Sequence, residues 1–337
     1  MPSDRQLYTR ALNAVALRYG RMENDTVRRI WALLRQVQGE IAADLTSAEG
    51  FRAYQLREVL ESVDRYLAAF DAQAIAELRG GIAGAYQFGG AYVVDPLTAV
   101  GLDAGFNQLT PQILNVIVDA SADLVTGISE PIRRFLNLQI RQVALQQLTP
   151  IEAMRNISQH FGFVSMRPGR ETVKGIAYNA ERIVRTELSR NFNLATHSQQ
   201  LATAERVPEL RKKWIATGDA RTRQTHLAAH MRYMDNPIPV SEPFEVGGEL
   251  LMYPLDPNGS PGNVIHCRCR SISVHPLVGV LPLKTDDRIR SELERRKEAL
   301  VWAMGLLRQR VTPETQLGVR MLEARVSEIE AAVRVAA

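Results

Sequence analysis

Apolar residues recur three and four positions apart from Leu7 to about Phe70, as in Val27, Ile30, Leu34, Val37 and Ile41 and again in Leu56, Leu60, Val63, Leu67 and Phe70. Residues so spaced share one face of a helix, and the pattern predicts two or three long amphipathic helices. Between Gly80 and Gly105 the texture changes to glycine, alanine and aromatic residues. A close-packed helix and a loop both fit that composition. The alanine and tyrosine spacing and the absence of serine favour a helix, straight or broken, that lets a neighbour approach closely.

Helical spacing resumes at Ile113 and runs to about Leu148, with Ile132, Leu136, Ile140 and Val143 on one face and Pro131 suited to a first turn or a kink. Thr149-Pro150-Ile151-Glu152 then reads as a capping box that opens a short helix ending near His160. Gly162 and Met166-Arg167-Pro168-Gly169 predict a loop, and a long helix follows from about Thr172 to Ala204. Beyond Pro208 short apolar runs alternate with turn residues, among them Pro237, Gly247-Gly248, Pro254, Pro257 and Pro261-Gly262, which predicts a small sheet of short strands. Two helices close the chain, about 286–309 and 314–333, the second striped by Leu322, Val326, Ile329 and Val333 as for a hairpin or an arm that meets a partner helix. The fold class expected is α+β: a mostly helical N-terminal domain over 1–170, a small mixed module with short strands over 171–276, and a helical C-terminal tail over 277–337.

The 337 residues are 45% hydrophobic and 23% charged, as in soluble globular proteins. No apolar run approaches the roughly 20 residues that span a bilayer, and the N-terminus lacks the order of a signal peptide, so a cytosol-like compartment is expected. The formal net charge of +4 suits an acidic partner without requiring one. Local charge is more informative, because residues 206–223 carry Arg206, Arg211, Lys212, Lys213, Arg221 and Arg223 against Glu209 and Asp219. Arg206, Arg211, Lys212 and Lys213 are therefore candidate contacts to DNA phosphates, the alternative being a solvated face.

Cys267 and Cys269, the two cysteines of the chain, stand in Asn263-Val264-Ile265-His266-Cys267-Arg268-Cys269-Arg270. If Ile265–Ser271 is a strand, both thiols share a face and Arg268 points the other way. A disulfide across one intervening residue would be strained. Metal offers a second role: His226 and His230, four apart on one helical face, would complete a Cys2His2 zinc set with Cys267 and Cys269. Against it stands the one-residue gap, shorter than structural zinc sites favour, and a plain reading as small buried residues remains. Asp219, Arg221 and Arg223 follow the turn Thr217-Gly218, where Arg221 could clamp a carboxylate such as Asp256 or Glu187. His226, Asp256 and His266 could also mimic a metal-dependent nuclease centre.

These clusters, taken in order with Arg185-Thr186-Glu187 on the preceding helix, Trp214 in Lys-Trp-Ile, and Pro254-Leu255-Asp256-Pro257, resemble the frame of the Mu F-like head morphogenesis family, the minor head proteins of tailed phages. The resemblance covers residues about 171–276 and departs from the family at His266, where asparagine is typical. It implies that Arg185, Glu187, Trp214, Asp219, Arg221, Arg223, His226, Asp256, Cys267, Arg268 and Cys269 are fold-determining. It further implies a structural virion protein in the head interior at the portal vertex, present in the host cytoplasm during assembly and acting in head assembly and in DNA packaging or ejection. Its partners would be the portal protein, a major capsid or scaffold protein, and double-stranded DNA bound without sequence preference. The alternatives are a non-specific DNA-binding packaging factor and a metal-dependent nuclease. Some family members carry a toxin domain after the conserved module, and the stretch beyond Pro276 is short for an enzyme. No phosphate-binding Gly-rich loop, Gly-x-Ser-x-Gly, His-Glu-x-x-His or dinucleotide fingerprint occurs, so no catalytic residue is assigned, zinc is the one candidate cofactor, and the expectation is that the chain is not an enzyme.

Overall fold

The computed structural model describes residues 2–47, 56–105, 111–162, 175–279, 284–308 and 313–334. It is mixed α+β and mostly helical, with a few short antiparallel strands between helical ends. The first helices are long: α1 spans Asp4–Ser47, α2 Leu56–Thr98 and α3 Pro111–Ala144. The expected loop at 166–169 and the boundary near 170 lie outside the described residues.

By packing, the chain forms two compact units, one of Tyr19–Ala85 with Gln108–Leu188 and one of Met1–Arg18, Tyr86–Asn107 and Ser189–Ala337. The first unit is helical. Its core holds the predicted stripes, Val27, Ile30, Leu34, Val37 and Ile41 from α1, Val63, Leu67 and Phe70 from α2, and Ile132, Leu136, Ile140 and Val143 from α3. Helix α4, Pro150–Phe161, starts from the capping box foreseen: Glu152 N donates to Thr149 Oγ1 at 3.2 Å and Thr149 N donates to Glu152 Oε2 at 2.8 Å. Gly162, at φ 74°, ends it in the left-handed conformation that glycine adopts without penalty.

The second unit holds the strands. The glycine-rich stretch is helical, the closing part of α2, and it admits a close neighbour as expected. A Cβ on Gly89 would lie 2.2 Å from the Phe192 carbonyl oxygen of α5, Ile176–Ala204, and Thr196 Oγ1 donates to the Gly89 oxygen at 3.1 Å. Strand β1, Arg211–Ile215, lies between β2, Ile238–Pro239, and β5, Arg270–Val274, all antiparallel, with Arg211 opposite Val274 and Ile215 opposite Arg270. Strands β3, Phe244–Val246, and β4, Glu249–Leu251, form a separate hairpin. Its two-residue turn, Gly247-Gly248, has φ of 60° and 81°, which side chains rarely tolerate at successive positions.

Helix α6, Gln224–Met234, and the one-turn α7, Pro261–Val264, frame this sheet, and a 3-10 turn, Pro276–Val278, follows β5. Helices α8, Lys284–Arg308, and α9, Pro313–Arg334, form the expected C-terminal pair. Near the sheet they are part of its core, because Ile289, Leu293 and Ile329 join Trp214, Leu227, Met231, Phe244, Cys267 and Cys269 in one apolar cluster.

Candidate metal centre

Helix α6 begins after the turn 219–222, and its first buried residue, His226, meets both cysteines. His226 Nδ1 lies 3.3 Å from Cys269 Sγ and 3.5 Å from Cys267 Sγ. On the other side of the ring, Nε2 lies 3.3 Å from Asn263 Oδ1, while Asn263 Nδ2 donates to the Val246 oxygen at 3.2 Å. That second bond orients the amide with its oxygen toward the histidine. The oxygen accepts the Nε2 proton and leaves the Nδ1 lone pair facing the sulfurs.

Cys267 and Cys269 precede the sheet, since β5 starts at Arg270 and not at Ile265 as the sequence suggested. His266 stands at φ 58° and interrupts any extended run at that point. Alternation still holds over 267–269. The two sulfurs turn inward, and Arg268 points away to form paired bonds with Asp219, Nη1 to Oδ2 at 2.7 Å and Nη2 to Oδ1 at 2.6 Å. Both cysteines are free and buried, and Cys269 N donates to Cys267 Sγ at 3.4 Å. A hydrogen bond from the Cys269 thiol holds the Cys267 thiol well below its ordinary pKa, and burial pushes Cys269 up. Of the two, Cys267 gives up its proton first.

His226, Cys267 and Cys269 thus form a buried group whose ligand atoms all lie within 4.8 Å of one another and which could hold a metal ion. The separations fit the chemistry of such a centre: zinc bonds of about 2.3 Å to sulfur and 2.0–2.1 Å to nitrogen, at tetrahedral angles, place nitrogen and sulfur about 3.6 Å apart. The expected fourth ligand, His230, is elsewhere. Its Nε2 pairs with Asp286 Oδ1 of α8 at 3.0 Å and its Nδ1 accepts from Ala216 N at 3.2 Å, because one helical turn along α6 carries it past the cysteines to the β1 and α8 side.

The DNA-phosphate assignment changes most. Lys212 and Lys213 are 0% and 1% exposed, since β1 is the central strand and both its faces are covered. Lys212 Nζ donates to the Met252 oxygen at 2.7 Å and lies 4.8 Å from the Phe244 ring centre, and burial lowers its pKa to about 8. Lys213 is lowered by the same cause. Arg206 and Arg211 are exposed, with Arg211 Nη1 donating to the Pro237 oxygen at 3.1 Å.

The anticipated Arg221 clamp is also corrected. Arg221 is an exposed side chain 4.0 Å from Asp219, and Arg268 makes the bidentate pair. Asp256 orders its own loop by accepting from Met252 N at 2.8 Å and Asn258 N at 3.0 Å, so neither it nor His266 joins the metal-ligating group of the described residues. Arg223 Nη2 donates to the Ile265 oxygen at 2.5 Å and ties the start of α6 to the approach to the cysteines. Arg185 and Glu187 belong to the other unit, where Arg185 pairs with Glu181 and Glu23 at 2.7 and 2.8 Å.

Sequence reasoning missed three residues that shape this region: Asn263 behind His226, Asp286 against His230, and Arg296. The last donates to the oxygens of Asp219, Ala220 and Thr222 at 3.4, 3.1 and 2.9 Å and holds the turn before α6. Asp286 and Arg296 carried no signal, being charged residues on an otherwise solvated helix. Asn263 was visible only as a neighbour of the cysteines.

No family model matches the chain, and no solved structure matches it. Among curated proteins, the NAD(+)--arginine ADP-ribosyltransferase EFV of Enterococcus faecalis is 30% identical over 130 residues, which are 39% of this chain and 25% of that protein. The chain therefore spans a quarter of the length of the relative it matches. This likeness corrects the expectation that the chain is not an enzyme. A handful of missing motifs excludes only the chemistries those motifs serve, and the matched protein is named for a transferase activity that none of them represents.

Proposed function

We propose that the chain is a structural minor head protein of a tailed phage, of the Mu F-like head morphogenesis type, that associates with the portal vertex inside the head and acts in head assembly and in DNA packaging or ejection. One observation carries this reading: Trp214, His226, Cys267 and Cys269, which the family resemblance marks as part of its frame, meet in one buried centre, and Arg268 between the two cysteines pairs outward with Asp219. Zinc is the ion we propose for that centre, holding the α6 end of the module to the segment before β5. The portal protein is the first partner in this reading, with major capsid or scaffold protein and double-stranded DNA beside it. DNA would be met through Arg206 and Arg211. Co-expression with the portal protein of the same phage, followed by size exclusion at high salt, tests the reading. Co-elution is expected; separate elution at every salt concentration would sink it, and a salt-sensitive DNA shift alone would move the function to DNA handling.

The relative in Enterococcus faecalis favours a second reading, transfer of ADP-ribose from NAD to an arginine acceptor. Release of nicotinamide from NAD by the full chain, with an arginine-rich protein as acceptor, decides it. Turnover above a chain-free control would support transfer, and none would remove it.

A further inference from the structure

Three features of the His/Cys/Cys centre say more than its ligand list. First, the bond from His226 Nε2 to Asn263 settles which nitrogen is free, and that nitrogen is the one between the sulfurs. Metal-bound histidines as a rule donate their remote N–H to a carbonyl or carboxylate, which fixes the ring and raises the basicity of the ligating nitrogen. Here the oxygen comes from Asn263, itself anchored on the Val246 carbonyl.

Second, the backbone N–H of Cys269 already donates to Cys267 Sγ, an arrangement that stabilises a sulfur carrying negative charge. Third, the Trp214 indole N–H is wholly buried and meets no acceptor at hydrogen-bond distance among the described residues. Such an orphan donor costs about 1–3 kcal/mol and asks for an explanation. The indole shares the apolar core with Cys269, and its ring meets His226 edge-on at 5.5 Å between centres.

We infer that the centre binds one thiophilic metal ion through three protein donors, His226 Nδ1, Cys267 Sγ and Cys269 Sγ, with Asn263, the Cys269 N–H and Trp214 as its supporting shell and His230 excluded. This rests on the zinc assignment proposed above for the same cluster. On binding, each thiol still protonated gives its proton to solvent and forms a sulfur–metal bond, and the imidazole remains neutral. A tetrahedral ion then takes its fourth donor, such as water, from beyond the group.

The closing experiment is zinc analysis of the untagged full chain, purified under reducing conditions and dialysed against zinc, beside Cys267→Ser, Cys269→Ser, His226→Ala and His230→Gln variants checked for folding by circular dichroism. One zinc per wild-type chain is expected, lost in the first three variants and kept in His230→Gln. X-ray absorption at the zinc edge of the wild-type chain reads the ligands without any variant and should count two sulfurs and one imidazole. A folded wild-type chain without zinc overturns the zinc assignment itself. Zinc present with two imidazoles, or retained by folded His226→Ala, overturns the three-donor set alone.

Discussion

Arg268 grips Asp219 across 49 residues of chain with two parallel hydrogen bonds, and the two side chains are only 30% and 24% exposed. A fork of this kind cannot be copied by lysine. Arg268→Lys should lower stability by about 1.5 kcal/mol, the low end for charge-assisted bonds because some solvent still reaches the pair. Urea unfolding of Arg268→Lys, Asp219→Asn and the double variant would check it, and the two losses should fail to add.

The same pair sets an acid limit. Arg268 holds the Asp219 carboxyl well below the usual carboxylate range. A depressed carboxylate contributes stability in full above the unfolded value of about 3.9 and loses it as pH falls toward the folded value. Between pH 6 and pH 3 the urea midpoint of the wild-type chain should therefore fall further than that of Asp219→Asn. Equal falls would remove the pair from the account of acid unfolding.

Lys212 predicts the opposite limb. With a folded pKa of about 8 against about 10.4 in the unfolded chain, the unfolded state holds the extra proton between those values. Stability should then rise from pH 8 to pH 10, and Lys212→Met should flatten the rise. Midpoints at the two pH values give the slope for each protein.

Gly89 and Gly39 should respond to alanine with opposite signs. A Cβ at Gly89 would run into Phe192 O at 2.2 Å and Ala195 Cβ at 2.7 Å, so overpacking should cost about 1–3 kcal/mol or more. At Gly39, within α1, an added Cβ would meet no other part of the described residues within 4 Å, and alanine should gain about 0.5–1 kcal/mol through helix propensity. Thermal melts of the two variants make the comparison.

A chain ended after Gly279 should lose the cooperative transition of its second unit, the one that holds the strands. Ile289, Leu293 and Ile329 are each 0% exposed in the core around Trp214, and each buried aliphatic side chain of this size contributes about 1.5–3 kcal/mol. Loss of near-ultraviolet dichroism with far-ultraviolet signal retained would report the loosened packing. An unchanged spectrum would show the module to stand without α8 and α9.

The helices were legible because periodicity and capping are local. The stripe from Val27 to Ile41, the box at Thr149 and both C-terminal helices stand close to where the spacing placed them. The convergence of His226, Cys267 and Cys269 was legible in outline for the same reason, two short local patterns that need only meet. Lys212 and Lys213 were not, because a run of basic residues looks alike on a solvated face and on a central strand with both faces covered. His230 was misplaced by one helical turn, since sharing a face of α6 with His226 does not mean sharing a neighbour. Its partner, Asp286, lies 56 residues on, beyond the reach of any local pattern.

The make-up of the two units also allows an order of events during translation. One unit is complete within residues 19–188, whereas the other joins Tyr8, whose hydroxyl donates to the Ser273 oxygen, to Ile329 of α9. A chain synthesised from its N-terminus can close the first while the second still waits for its last helix. Until α9 emerges, the part of the Trp214 core that Ile329 covers stays open on the ribosome, and a chaperone that shields it would act in that interval.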